Sequence, residues 1–225
     1  MALQVGIYLF DEVEVLDFAG PFEVFSTAAR LQRREGLAAS FEVHTLAATV
    51  APVRARGGLA VSASATLQGH PALDVLLVPG GVVSAELARP GLRDWLVGQS
   101  RRLRVLASIC TGAFLLEQAG LLDGREAITH WEDLEDLRRA SQASGSGLHV
   151  IEQQRWVEAR PLAGEQGPCR LFSSAGISAG IDLSLHLVAE LASAELARRT
   201  ARQMDYDWRG VDGAVLQAAG GAPGR

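Results

Sequence analysis

The chain has 225 residues, of which 48% are hydrophobic and 21% are charged, and its formal net charge is −5. This length and composition are typical of one globular domain with a sizeable apolar core. An acidic balance without a basic face argues against nucleic-acid binding, and no apolar run approaches the roughly 20 residues of a membrane-spanning helix. The N-terminus lacks the basic lead and cleavage site of a signal peptide, and two cysteines are too few for a disulfide framework. We therefore expect a cytoplasmic protein with no nucleic-acid or membrane partner.

Strand and helix patterns alternate along the chain. In chain order, the predicted elements are a strand over 4–10, a helix over 21–34, a strand over 41–47, a hairpin over 53–61, a strand over 74–79, a helix over 92–103, a strand over 104–109, helices over 111–122 and 132–143, short strands over 149–151, 155–159 and 171–174, and helices over 178–191 and 194–206. The alternation predicts an α/β fold in which helices sandwich a mainly parallel sheet. We expect one domain over residues 1–210 and a frayed tail over 211–225, which is rich in Gly and Ala.

Ligand sites of such sheets lie beyond the carboxyl ends of the strands. The clearest candidate is Cys110, which stands between the buried strand 104–109 and the next helix, with Gly112 two places later. This arrangement is typical of a nucleophile elbow, where a tight turn with positive φ presents the side chain above the sheet. The helix N-terminus is expected to favour the thiolate. The alternative is a small buried apolar cysteine.

Two other strand ends carry candidate site residues. Gly80 and Gly81 follow Pro79, and the Gly81 amide could form an oxyanion hole with the Thr111 amide; the alternative is an ordinary turn. Asp17 either caps a helix that begins near residues 20–21 or exchanges a proton with a thiol or substrate.

The histidines show no metal-ligand spacing. His130 either lines the site or packs and caps the helix that follows it. Cys169 falls in a loop rich in Gly and Pro and is expected to take no part. Residues 173–182 form a second strand-to-helix junction, whose small residues suit close packing against the elbow or a partner subunit.

Four stretches together resemble the ThiJ/PfpI superfamily: residues 5–24, the PGG at 79–81, SICTGAFLLEQAGLLDGREAITHW and SAGISAGIDLSLHLVAEL. The branch they resemble most is that of the isonitrile hydratases, and the sensor domains of some AraC-type regulators are similar. The resemblance spans about residues 3–207 and implies the flavodoxin-like fold of class I glutamine amidotransferases. It also implies a homodimer that acts on a small molecule and needs no metal or cofactor.

The resemblance assigns roles by position. Cys110 matches the elbow nucleophile, Asp17 the acid beside it, Thr111 the residue after the nucleophile, and Gly81 the oxyanion-hole glycine. The other residues expected to bind substrate are Gly20, Gly80, His130 and Ile177. The peptidase-like branches often carry His where this chain has Thr111, so a Cys–His dyad and peptidase activity are not expected.

The function expected from this resemblance is the hydration of an isonitrile to an N-substituted formamide. Cys110 would attack the terminal carbon, Asp17 would protonate nitrogen to give a thioimidate, and Asp17 would then help water to add. Two alternatives stay open. One is glyoxalase-like cysteine chemistry on small carbonyls, and the other is a sensor of small molecules or oxidants without enzymatic activity.

Overall fold

The computed structural model describes residues 1–208 and residue 210. The strands are β1 (Leu3–Leu9), β2 (Phe41–Ala47), β3 (Val53–Arg54), β4 (Ala60–Val61), β5 (Ala65–Thr66), β6 (Val75–Val78), β7 (Val105–Ile109), β8 (Glu126–Ala127), β9 (His149–Val150), β10 (Trp156–Leu162) and β11 (Cys169–Ser174). The α-helices are α1 (Val15–Arg34), α2 (Ser84–Leu87), α3 (Leu92–Ser100), α4 (Gly112–Gln118), α5 (Leu134–Ser144), α6 (Ala179–Leu191) and α7 (Ala194–Gln203). The predicted tail 211–225 lies outside the described residues.

The main sheet has the strand order β10-β11-β7-β6-β1-β2-β5. Its neighbouring strands are parallel except for the edge pair β10 and β11. Every residue of the central strands β6 and β7 is buried, which explains why both read as continuous apolar runs. Because parallel strands end at the same edge, the segments that follow β1, β6, β7 and β11 meet there.

The helices form two groups. Helices α1, α6 and α7 pack on one another, whereas α2, α3 and α5 each contact α4. The largest fully buried side chains come mostly from strands and include Tyr8, Phe41, Leu76, Leu106 and Phe172. The predicted mainly parallel sheet flanked by helices is confirmed. No helix in the described part of the chain is long and apolar enough to cross a membrane.

Helix α1 begins six residues earlier than the sequence predicts. It starts at Val15 and contains Pro21, although proline usually marks the first position of a helix. The expectation that Asp17 caps a helix beginning near residues 20–21 is therefore wrong. Asp17 lies in the first turn of α1 and is completely buried. Its side chain thus points into the protein instead of closing a helix end in solvent.

The region around Cys169 also differs from expectation. Cys169 begins β11 and is fully buried, so its assignment to a loop is wrong. Strand β10 extends through Pro161, with a bulge between Ala159 and Leu162. An edge strand accepts proline at such a bulge because no neighbouring strand needs its missing N–H group.

Several short elements were not predicted, among them β5, β8 and α2, which have two to four residues each. Segments this short show no hydrophobic period. The hairpin expected over 53–61 is confirmed by the antiparallel pairing of β3 and β4.

The contact between α4 and the end of β6 yields a stability prediction. A Cβ atom added to Gly112 would lie 2.0 Å from the carbonyl oxygen of Val78, so Gly112→Ala forces two backbones apart. We expect a loss of about 3 kcal/mol or more in the free energy of unfolding. The matched control is Gly98→Ala in α3, which has open space around it; removal of a mid-helix glycine should stabilise by about 0.5–1 kcal/mol. Urea unfolding measures both, and a Gly112→Ala variant as stable as wild type would contradict the close approach.

Candidate active site

The backbone at Cys110 has the geometry of a nucleophile elbow. Cys110 follows β7 directly, is separated from α4 only by Thr111, and has φ of 55°, so the predicted elbow and positive φ are confirmed. Its N–H donates to the carbonyl of Ser174 at 3.0 Å. Its carbonyl accepts from the hydroxyl of Thr129 at 2.9 Å. Two neighbouring segments therefore hold this residue in a left-handed conformation that side chains rarely adopt.

The segment after β6 packs directly on this elbow. A Cβ atom on Gly80 would lie 2.5 Å from the Thr111 nitrogen and 2.9 Å from Cβ of Cys110. Only glycine fits in that space. The turn that the sequence places at Pro79 is therefore one wall of the site.

Asp17 reaches the same place from α1. Its Oδ2 accepts a hydrogen bond from the Gly80 amide at 3.0 Å, while Oδ1 has no hydrogen-bond partner. Burial raises the pKa of Asp17 to about 7, the Gly80 amide and the Cys110 thiol lower it, and the charge of Glu14 raises it further. The interaction with the thiol supports the predicted proximity of Asp17 and Cys110. The two groups are neighbours, but no hydrogen bond of proper geometry joins Oδ1 to the thiol.

The thiol of Cys110 is not activated in the way that the sequence suggests. Burial raises the pKa of Cys110 to about 12, and the negative charge of Asp17 acts in the same direction, whereas the Thr111 amide lowers it. The side chain is only 7% exposed, and α4 has just seven residues. The expected low-pKa thiolate is therefore wrong, because desolvation outweighs the helix N-terminus. At neutral pH the sulfur therefore keeps its proton beside the carboxyl group of Asp17.

Thr111 joins the elbow to the glycine turn. Its hydroxyl donates to the Gly81 carbonyl at 2.8 Å and accepts from the Gly81 amide at 2.8 Å. The Gly81 amide is thus already used, and the predicted oxyanion hole made of the Gly81 and Thr111 amides is not formed. The Thr111 amide instead interacts with the Cys110 sulfur. The positive φ of Gly81, 137°, reflects its close contact with the backbone of Glu12.

The junction at residues 173–182 packs against the elbow, as its small residues suggest. A Cβ atom on Gly176 would lie 3.1 Å from the Cys110 sulfur and 2.3 Å from Cδ2 of His130. Gly176 and His130 thus line the space beside the sulfur, and Nδ1 of His130 accepts from the Glu132 amide at 3.4 Å. The sequence signal for Gly176 is its place in a strand-to-helix junction of small residues, for which close packing against the elbow is expected.

The remaining predicted residues lie farther from the chemistry. Gly20 packs against Ile181 of α6, so its role is to bring two helices together. Ile177 is 38% exposed next to Gly176 and can meet a ligand at the mouth of the site. Across the described residues, no group of three His, Cys, Asp or Glu side chains is placed to hold a metal ion.

Comparison with known proteins agrees with this geometry. The model of the DJ-1/PfpI family matches residues 3–190. An isonitrile hydratase from Pseudomonas putida is 32% identical over 207 residues, which cover 92% of this chain and 79% of that protein. The HTH-type transcriptional regulators GbdR and CdhR from Pseudomonas aeruginosa are 29% and 32% identical over 90% of this chain, and the chain spans about half of their length.

Solved structures show the same fold. A THiJ/PfpI family protein from Pseudomonas syringae has a TM-score of 0.75 at 27% identity, with 92% of this chain and 76% of that chain covered. Oxidized DJ-1 from Toxoplasma gondii has a TM-score of 0.68 at 22% identity, with 92% of this chain and 100% of that chain covered. At that lower identity the likeness concerns the fold alone.

The raised pKa of Asp17 predicts an unusual dependence of stability on pH. The unfolded chain loses this proton near pH 3.8, but the folded protein keeps it to about pH 7. The contribution of the Asp17 proton to the free energy of unfolding is therefore complete below about pH 4. It is lost as the pH rises to about 7, at about 1.4 kcal/mol per pH unit. The Asp17→Asn variant lacks this slope. Urea unfolding at several pH values tests it, and parallel stability curves for the two proteins would contradict the raised pKa.

Proposed function

The chain belongs to the DJ-1/PfpI family, and we propose that it is a cofactor-independent hydratase that converts isonitriles to N-substituted formamides. The observation that carries the proposal is the buried pair of Asp17 and Cys110 at a strained elbow. Burial raises the pKa of the Asp17 carboxyl group to about 7, so this group can both accept and donate a proton near neutral pH. The relative named isonitrile hydratase, 32% identical, supports the choice of substrate.

The first step joins the thiol to the substrate. The Cys110 sulfur bonds to the terminal carbon of R–N≡C while the Asp17 carboxylate takes the thiol proton and delivers it to that same carbon. The product is a thioimidate, R–N=CH–S, on Cys110. The expectation that Asp17 protonates nitrogen here is wrong, since the new hydrogen of a thioimidate is on carbon. No proton is gained from or lost to solvent.

The second step releases the product. Water adds to the thioimidate carbon, and Asp17 transfers one of its protons to nitrogen. The C–S bond then breaks, and the hydroxyl proton returns through Asp17 to the sulfur, which gives R–NH–CHO and the original thiol. One carboxyl group can serve both as acceptor and as donor because its pKa lies near the working pH.

The alternative of a sensor without activity has one specific observation in its favour. Regulators of transcription match the chain over half of their own length at 29–32% identity. A sensor would bind a ligand at the same pair without releasing a product. Turnover separates the two functions.

We expect Cys110→Ala to abolish hydration with the fold intact, because the thioimidate cannot form. Asp17→Asn should keep the shape and lower kcat by about 10²–10⁴-fold, the usual worth of acid–base help. The matched control is Cys169→Ala, which removes the other buried thiol and should leave turnover unchanged. Formamide production from aliphatic and aromatic isonitriles measures all three. A wild-type protein that hydrates none of them, while its Cys110 can still be alkylated, would contradict the proposal.

The pH profile of the wild type gives a second test. In the reactive state Cys110 is a thiol and Asp17 is a carboxylate. A proton on Asp17 prevents it from accepting the thiol proton. We expect kcat/KM to fall as the pH drops through about 7 and to level off above it, because kcat/KM reports the free enzyme. Rates between about pH 5.5 and 9 measure this. A profile that stays flat through pH 7 would remove Asp17 from the proton transfers.

A further inference from the structure

Residues 175–178, called the Gly176 loop here, connect β11 to α6 and form the wall beside the Cys110 sulfur. The loop is tied to the elbow at one end, where the Ser174 carbonyl accepts from the Cys110 amide at 3.0 Å. In its middle, Gly176 faces both the sulfur and the ring of His130. The position of this short loop therefore determines how much room a reacting group has next to the sulfur.

Arg155 holds the loop through both its backbone and its side chain. Its carbonyl accepts from the Ala175 amide at 2.9 Å. Its Nη2 donates to the Ser178 hydroxyl at 3.2 Å, and its Nε donates to Oδ2 of Asp182 at 2.7 Å. The contacts thus lie on both sides of Gly176.

The partner carboxylate is itself fixed. Asp182 belongs to the first turn of α6 and also accepts from the hydroxyl of Tyr206 at 3.1 Å. The side chains of Arg155 and Asp182 are 29% and 16% exposed, so this ion pair is mostly shielded from solvent. A shielded pair with several hydrogen bonds keeps its geometry better than an exposed one.

We propose that Arg155 is a positioning residue that, through Asp182 and Ser178, fixes the Gly176 loop and limits the space beside the Cys110 sulfur to slender reactive groups. The loop contains no charged side chain, so its position depends on contacts from residues outside it. The glycine lets the loop approach the sulfur and the His130 ring closely, and the arginine keeps the loop in that position. The terminal carbon of an isonitrile is linear and unbranched, so it fits such a narrow space. The choice of this natural substrate rests on the proposed function, whereas the size limit does not.

The test uses the reaction of Cys110 with two alkylating reagents of unequal width. Iodoacetamide and its N-naphthyl derivative share the same reactive carbon, and peptide mass spectrometry reports modification at Cys110 alone. The ratio of the two rate constants cancels any change in the thiolate fraction. For Arg155→Gln we expect the ratio of bulky to small reagent to rise by about fivefold, the factor that corresponds to one lost net hydrogen bond. Arg155→Lys, which keeps the charge near Asp182, should recover part of the wild-type ratio.

The matched control is Arg170→Gln. Arg170 also pairs with carboxylates, those of Glu158 and Glu190, is similarly exposed, and lies at the opposite end of β11. Its loss should leave the ratio unchanged. An unchanged ratio in a folded Arg155→Gln variant would overturn the proposal.

If Arg155→Gln does not fold, Ser178→Ala removes only one of the contacts and should give a smaller rise, whereas no rise would equally overturn the proposal. The readout does not involve hydration. A wild type without turnover but with the expected ratios would therefore contradict the proposed function and leave the role of Arg155 standing.

Discussion

The left-handed backbone of Cys110 is the constraint on which the site depends. A residue with a side chain at φ near 55° stores about 1–3 kcal/mol, and two hydrogen bonds at about 1 kcal/mol each offset that cost. The partners in these bonds are Ser174, the last residue of β11, and Thr129. Gly112 then allows α4 to begin against the carbonyl of Val78 at the end of β6. The elbow therefore exists only because neighbouring parallel strands end at one level and each contributes an atom to it.

Burial, more than the helix N-terminus, controls the electrostatics of the pair. Both Asp17 and Cys110 are removed from water, and each pKa rises as a result, to about 7 and about 12. The two groups consequently hold one proton between them at pH values above the pKa of Asp17 and below that of Cys110. A thiol that stays protonated at rest is a poor target for indiscriminate electrophiles, because the thiolate is the nucleophile. In the proposed hydration the sulfur becomes reactive when the substrate accepts the proton that Asp17 transfers, which would tie activation to the correct ligand.

Sequence reasoning reached the parallel sheet, the elbow and the positive φ of Cys110, because continuous apolar runs and a Cys-x-Gly junction follow from local chemistry. It failed where the outcome depends on how deeply a group is buried or on which acceptor takes a hydrogen-bond donor. A carboxyl at a helix start can cap in solvent or be buried, and the earlier start of α1 at Val15 decides this for Asp17. The sequence does not show whether the Gly81 N–H group is free to bind an oxyanion. In the structure it donates to the Thr111 hydroxyl. The small residues of 173–182 indicated close packing against the elbow, but no local pattern shows that Gly176 is the residue that meets the Cys110 sulfur.

The reactive pair alone does not separate a hydratase from a sensor, because both functions begin with a ligand at the protonated thiol. They diverge in the next event. A hydratase must admit water to the carbon that is attached to sulfur, next to a group that can take its proton, whereas a sensor must keep the adduct or ligand intact. Oδ1 of Asp17 is completely buried and has no protein partner, and a buried acceptor left unpaired costs about 1–3 kcal/mol. Since this atom is closed to solvent in the structure, hydration requires that the bound thioimidate opens a path for water to it. A sensor needs no such path.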